Sequence, residues 1–200
     1  MTNPLHTESY WADRYRAGQT GWDMDQVSPP LKAYFDQLSH KDQHILIPGA
    51  GNGHEAEYLF HNGFPHTHLL DIAKPPLEDF QRRVPDFPAD QIIHQDFFEH
   101  TGTYDIIVEQ TFFCAFEPTP ERRQAYADKV YELLRPGGKL VGLWWSFPLR
   151  EGQESPPFGG SKEEYLSYFG DRFRVKYFEE CYNSIPPRQG NEYFGLLVKG

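Results

Sequence analysis

Ile45-Leu46-Ile47-Pro48-Gly49-Ala50-Gly51-Asn52-Gly53 is a short apolar run that ends in three glycines at alternate positions. The run predicts a buried strand, and Glu55 to His61 behind it predicts the start of a helix. Glycines suit a place where the chain reverses tightly and lets a ligand lie against bare backbone. Between a strand and a helix they read as a nucleotide-type cofactor loop, with an ordinary strand-to-helix turn as the plain alternative. A dinucleotide fingerprint is Gly-x-Gly-x-x-Gly. Here the third glycine comes one residue early, at Gly53, and His54 fills the slot of the dinucleotide glycine.

Downstream, His66 to Asp71 predicts a second strand ending in an acid. Asp71 lies 20 positions beyond Gly51, where an αβ nucleotide fold places the carboxylate that accepts ribose hydroxyls. A solvated acid in a loop is the plain alternative. His66 and His68 share a strand face, but no third ligand is placed beside them and zinc needs one, so no metal site is expected. Leu77 to Arg83 predicts a helix and Gln91 to His94 a third strand running into Asp96-Phe97. An acid and a ring at that strand tip suit an adenine pocket. Tyr104 to Glu109 predicts the fourth strand, with Gln110-Thr111-Phe112-Phe113-Cys114-Ala115 at its carboxyl end, where ligands sit in open α/β sheets. A helix from Glu121 to Leu134 leads to Arg135-Pro136-Gly137-Gly138, read as a hard stop and turn. Lys139 to Trp145 predicts the fifth strand. After a Pro/Gly-rich loop from Leu149 to Gly160, a helix runs from Ser161 as N-cap to Phe169. Phe173 to Cys181 and Tyr193 to Lys199 predict two closing strands with no helix between them.

The expected fold class is therefore α/β: a Rossmann-like, seven-stranded, mostly parallel sheet with an antiparallel edge strand and helices on both faces. Residues 1–200 are expected to form a single domain. Upstream of the first strand, Glu8 to Gly18 and Leu31 to Leu38 predict two short helices, so residues 1–38 read as a helical cover. Trp11 and Trp22 stand eleven positions apart in it, open between packing the cover and lining a site.

A formal charge of −10 argues against nucleic acid as a partner, since neutralising phosphates needs clustered Lys and Arg. No apolar run is long enough to span a membrane, and the first ten residues lack a signal-peptide core. Two cysteines, Cys114 and Cys181, make no disulfide framework, which predicts a reducing, cytoplasmic setting. The 16% share of aromatic residues suits a site walled by rings or simply an aromatic core.

Several blocks carry a family resemblance. Near the start stands Trp11-x-x-Arg14-Tyr15-x-x-Gly18-x-Thr20-Gly21-Trp22-Asp23, followed by Ile47 to Glu55 with Gly-x-Gly-x-Gly inside it. Glu109 to Ala115, Arg122/Arg123 with Tyr126, Leu133 to Gly138 and Pro156-Pro157-Phe158 continue the series. The chain resembles the thiopurine S-methyltransferase-like family of S-adenosylmethionine-dependent enzymes, and within it the halide/thiol methyltransferases. The resemblance implies that Trp11 closes over the cofactor and that Trp22 faces the transferable methyl or the acceptor. It implies that Gly49, Ala50 and Gly51 pass the methionine part of S-adenosylmethionine, Asp71 and Ile72 the ribose side, and Asp96 and Phe97 the adenine. Gln110 and Thr111 would meet the amino-acid end, and Phe112, Phe113 and Trp145 would join Trp22 around the acceptor. Animal thiopurine enzymes carry an arginine where Gln110 stands, which argues against an aromatic thiol as acceptor. Tyr126 is the candidate catalytic group beside Trp22, open between steering the nucleophile and packing its helix. Ser155-Pro156-Pro157-Phe158 looks like the tetrapeptide of amino-methyltransferases but follows the fifth strand rather than the fourth, and reads as a lid element.

These readings predict methyl transfer to a small soft nucleophile, a thiol, bisulfide or halide ion, which needs no strong base. The alternatives are an N- or O-methyltransferase of a small molecule and a nicotinamide oxidoreductase on a similar sheet. A small-molecule acceptor and a monomer or weak homodimer complete the expectation.

Overall fold

The computed structural model describes residues 3–200; Met1 and Thr2, part of the expected cover, lie outside the described residues. The chain divides into two compact units, residues 1–100 and 101–200.

In the first unit, α1 (Glu8–Arg16) and α2 (Pro29–Phe35) precede β1 (Ile45–Pro48). Then come α3 (His54–His61), β2 (Thr67–Asp71), α4 (Lys74–Arg83) and β3 (Ile92–His94). All four residues of β1 are buried, as a central parallel strand covered on both sides demands. Parallel pairing sets Ile45 against Thr67 and Pro48 against Leu70, and then Asp71 against His94. The cover helices are docked: α1 packs on α4 and α2 on α3. The Thr7 hydroxyl caps α1 by accepting from Tyr10 N–H, and Trp11 Nε1 donates to the Leu5 carbonyl at 2.9 Å. The rings of His44 and His66 stack at 4.6 Å, with His68 beyond them at 6.2 Å from His44.

The second unit contains β4 (Tyr104–Gln110), α5 (Pro120–Leu133), β5 (Leu134–Trp145), α6 (Lys162–Phe169), β6 (Phe173–Glu180) and β7 (Glu192–Lys199). β4 and β5 are parallel, and β7 lies between β5 and β6, antiparallel to both. The antiparallel pairing thus gathers at the β6 end. The Ser161 hydroxyl accepts from Glu164 N–H and starts α6 where the sequence placed its cap.

Arg135 to Gly138 is not a stop before the fifth strand. Leu134 already pairs with Tyr104, and pairing resumes at Lys139 opposite Ile106. The residues between bulge out of the ladder, with Gly137 at φ +76°. Pro136 has no N–H to give the ladder and Gly137 takes a positive φ that leaves the strand path, so the ladder closes around them. Among the described residues no helix is long and apolar enough to cross a membrane.

Candidate functional site

In the first unit the site is built at the carboxyl ends of β1 and β2. Gly49, Gly51 and Gly53 all adopt positive φ, from 52° to 70°. Gly53 is the N-cap of α3, and a Cβ there would meet Phe80 Cδ2 of α4 at 2.5 Å. The early third glycine is therefore set by helix packing as well as by the turn. A Cβ on Gly51 would lie 2.5 Å from the Tyr15 hydroxyl, so the cover reaches the floor of the loop.

Asp71 is 7% exposed and joins the two loops. Oδ2 accepts from Gly51 N–H at 2.8 Å and Oδ1 from Ala73 N–H at 2.7 Å. Burial pushes its carboxyl up to about 6, against the pull of those two donors. Ile72, half-buried beside it, offers its carbonyl to His94 Nε2 at 3.0 Å. Gly49 and Ala50 keep part of their surface, and Ala50 N–H donates to the Leu70 carbonyl.

The two tryptophans of the cover come together. Trp11 and Trp22 meet edge to face at 5.7 Å, and Trp22 meets Tyr15 the same way at 5.6 Å. Trp22 Nε1 donates to the Tyr15 hydroxyl at 3.2 Å. Burial, and then the nearby Asp71 charge, hold the Tyr15 phenol above its ordinary range. Next to Trp22, Asp23 fastens the cover to the glycine loop. Its carboxylate accepts from Asn52 Nδ2, from His54 Nε2 at 2.9 Å and from Asp25 N–H at 2.9 Å. Burial alone would raise the Asp23 pKa, but these donors bring it down to about 2. The same contact raises the pKa of His54. Asp23, Asp25 and His54 hold ligand-type atoms within 4.8 Å of one another, and the latch accounts for the cluster. A second tie runs from Ser28 N–H to Glu55 Oε1 at 3.0 Å.

Asp96 caps the turn Phe97–Glu99, accepting from Phe98 N–H at 2.9 Å. Phe97 is 2% exposed, whereas Phe98, edge to face with it at 5.4 Å, keeps surface.

In the second unit the residues gather at the carboxyl end of β4. Gln110 Oε1 is buried with no hydrogen-bond partner, and Thr111 sits at φ +54°. Phe112 is half-buried and Phe113 is 1% exposed. Phe112 meets Phe116 at 4.7 Å, and Phe113 meets Tyr126 at 5.0 Å, both edge to face. The Tyr126 hydroxyl is fully buried and donates to Glu109 Oε2 at 2.6 Å. Trp145, half-buried, carries the Arg188 guanidinium over its ring at 5.0 Å. Burial, and then Glu109, push the Cys114 thiol up to about 12, which leaves it neutral. Phe158, 1% exposed, donates its N–H to the Cys114 carbonyl at 2.9 Å, so the Ser155–Phe158 segment packs on this turn.

Four residues outside the expected set hold these arrangements together: Asp23, His54, Glu109 and Arg123. Arg123 is 0% exposed, pairs with Glu164, donates to the Gly159 carbonyl at 2.8 Å and lies over the Phe113 and Tyr165 rings. All four stand in the blocks that carry the family resemblance, and two also have a physical signal in the sequence. Glu109 follows the apolar run Ile106, Ile107 and Val108 of β4, and Arg123 falls on the apolar stripe of α5 with Tyr126, Ala127 and Val130.

A model of the thiopurine S-methyltransferase (TPMT) family matches residues 6–197. The chain is 32% identical over 199 residues to a probable thiol methyltransferase 2 of Arabidopsis thaliana, covering 94% of this chain and 84% of that one. It is 30% identical over 202 residues to thiocyanate methyltransferase 1 of the same plant, covering 96% and 85%. A crystal structure of Burkholderia thailandensis 1,6-didemethyltoxoflavin-N1-methyltransferase, with bound 1,6-didemethyltoxoflavin and S-adenosylhomocysteine, is similar at a TM-score of 0.75 and 16% identity. The match covers 96% of this chain and 86% of that chain. At that identity the likeness shows the fold, a Rossmann-like, seven-stranded, mostly parallel sheet. With the family model running over nearly its whole length, the chain belongs to the thiopurine S-methyltransferase family, and its reaction is methyl transfer from S-adenosylmethionine.

Proposed function

We propose that the acceptor is a small soft nucleophile, a thiol or bisulfide ahead of a halide. One observation carries the reading. Glu109, the acid at the end of β4, has both oxygens engaged by protein donors. It is not presented to a substrate as a base. A thiol, with a pKa of about 8.5, is already a few per cent thiolate at neutral pH and needs none. The names of the plant relatives, thiol and thiocyanate methyltransferases, support the same class.

The residues fit the cofactor. The orphan Gln110 Oε1 is an acceptor suited to an ammonium group. In this reading Gly49, Ala50 and Gly51 border the methionine part, Asp71 and Ile72 hold the ribose side, and Asp96 with Phe97 the adenine. Gln110 and Thr111 take the amino-acid end. Trp11 covers the cofactor, and Trp22, Phe112, Phe113 and Trp145 wall the acceptor. Tyr126 acts through Glu109 and touches neither substrate. Residues 1–38 serve as cover to a methyltransferase spanning 1–200, working in the cytoplasm as a monomer or weak dimer.

Bound S-adenosylmethionine supplies a methyl group on a positive sulfonium. Transfer to an anion or thiolate extinguishes that charge, and water stabilises the charged reactants better than the dispersed transition state. Aromatic walls exclude water, and each ring face still holds a cation by about 0.5–2 kcal/mol. A methyl-transfer screen against thiols, bisulfide, thiocyanate, halides, a catechol and an amine tests the proposal. Faster turnover of the catechol or the amine rejects it.

A further inference from the structure

The turn that ends β4 is held from below by one side chain. Thr111, at φ +54°, occupies the left-handed region that a β-branched residue adopts only when its surroundings enforce it. Its hydroxyl bonds back to the Gln110 carbonyl at 2.7 Å and so braces nothing beyond its own turn. The brace is Glu109. Oε1 accepts from Phe112 N–H at 2.9 Å and from Phe113 N–H at 2.8 Å. Oε2 accepts from the Tyr126 hydroxyl of α5 at 2.6 Å.

We infer that Glu109 is a positioning residue for methyl transfer: locked in place by Tyr126, its carboxylate sets the Phe112–Phe113 turn against which the acceptor lies. This rests on the reading that Phe112 and Phe113 wall the acceptor site. Glu109 itself is 1% exposed, so it takes no proton from the acceptor.

Three donors converge on this carboxyl group. An ionised carboxylate accepts from all three, whereas a protonated one donates from Oε2 to the Tyr126 oxygen, reversing that bond and leaving the two turn N–H groups on a neutral oxygen that accepts more weakly. Burial works the other way and lifts the group to about 7 in spite of the three bonds. The titratable neighbours are Tyr126 on α5 and Cys114 just past the turn, and both are pushed upward and stay neutral. On β5 the residue opposite is Gly142, which brings no charge. The brace is therefore charge-assisted above about pH 7 and weakens to neutral hydrogen bonds as pH falls through that value.

The test uses thiocyanate as acceptor, because the anion of a strong acid does not titrate near neutrality. Wild-type kcat/KM should fall as pH is lowered through about 7. Glu109→Gln should remove that inflection and raise the thiocyanate KM by about tenfold, with cofactor affinity within about twofold of wild type. An inflection that survives in Glu109→Gln, or an unchanged acceptor KM, overturns the inference. If that variant does not fold, Tyr126→Phe decides. It removes one donor to the charged form, so the inflection must move upward, and an unmoved one overturns the inference. Amide exchange at Phe112 and Phe113 gives a turnover-free answer: it should quicken in Glu109→Gln, and equal protection counts against the brace. Phe112→Ala separates the two readings. An unchanged thiocyanate KM there defeats the acceptor-site reading and the inference with it. A raised KM there, with Glu109→Gln unaffected, defeats the brace alone.

Discussion

Asp23 and His54 meet at 2.9 Å across 31 residues of chain, joining the cover to the first turn of the helix behind the glycine loop. Each shifts the other: His54 rises and Asp23 falls to about 2. The ion pair is present between those two values. It is lost as pH rises through the raised pKa of His54 and, on the acid side, as pH falls through about 2. The other charges that act on His54 are Glu55, which favours its cation, and Arg83, which opposes it.

Loosening this latch should free the cover. Asp23→Asn is expected to weaken cofactor binding by about 1 kcal/mol, or roughly fivefold, as for a partly shielded ion pair. Proteolysis of residues 17–28 should quicken in that variant and, in wild type, on going to alkaline pH. His54→Gln should abolish the alkaline effect. Equal cleavage of wild type and both variants at every pH would remove the latch from the account.

Asp71 leads to a second expectation. Asp71→Ala removes the proposed ribose acceptor together with the tie between Gly51 and Ala73. Cofactor affinity should fall by about 1.5–3 kcal/mol, the range for hydrogen bonds to a charged group. Calorimetry with S-adenosylhomocysteine reads this directly, and unchanged affinity rejects the ribose role.

Glu109 also bears on stability. Its folded pKa, about 7, lies above its ordinary value, so the native state holds the proton more tightly than the unfolded chain. Its contribution to stability therefore declines as pH rises toward 7. The stability of Glu109→Gln relative to wild type should move in the variant's favour between pH 5 and pH 8, whatever its value at pH 5. Urea unfolding at the two pH values measures the change, and a difference that moves the other way contradicts the assignment.

With two thiols of different pKa, a thiolate mechanism moves one inflection of the pH–rate profile with the thiol. The inflection from Glu109 stays near 7 for every acceptor. Repeating the comparison in Glu109→Gln leaves only the moving one. A profile in which nothing moves with the thiol defeats the base-free mechanism.

Arg123, 0% exposed, is a buried cation of the second unit, as is Arg188. Arg123→Leu should lower stability by about 1–3 kcal/mol, mostly because the Gly159 carbonyl is left without its donor while the part-exposed Glu164 turns to water. Thermal unfolding that shifts by no more than a surface substitution would show the pair to be dispensable.

What was legible in the sequence was local. The apolar run from Ile45 and the Ser161 cap each follow from a few neighbouring residues. What was not legible depends on residues far apart. The bulge at Arg135 to Gly138 exists because Tyr104 pairs with Leu134, and no single strand announces such a pairing. Asp23 finds Asn52 and His54 only once the cover has docked. Tyr126 could be read as steering a nucleophile or packing a helix, and its bond to Glu109 is a third arrangement that the sequence does not announce.

Asp71 carries one more consequence. With a pKa of about 6, it is partly protonated in the free protein at mildly acidic pH. In the proposed ribose role, a diol donating to its oxygens favours the charged form, so binding near that pH expels part of a proton into solution. The heat of binding should then depend on the ionisation enthalpy of the buffer, and the slope of that dependence counts the protons released. The same titration at pH 8 should show no such slope. In Asp71→Ala it should vanish at every pH, so the loop junction can be read from the buffer as well as from the protein.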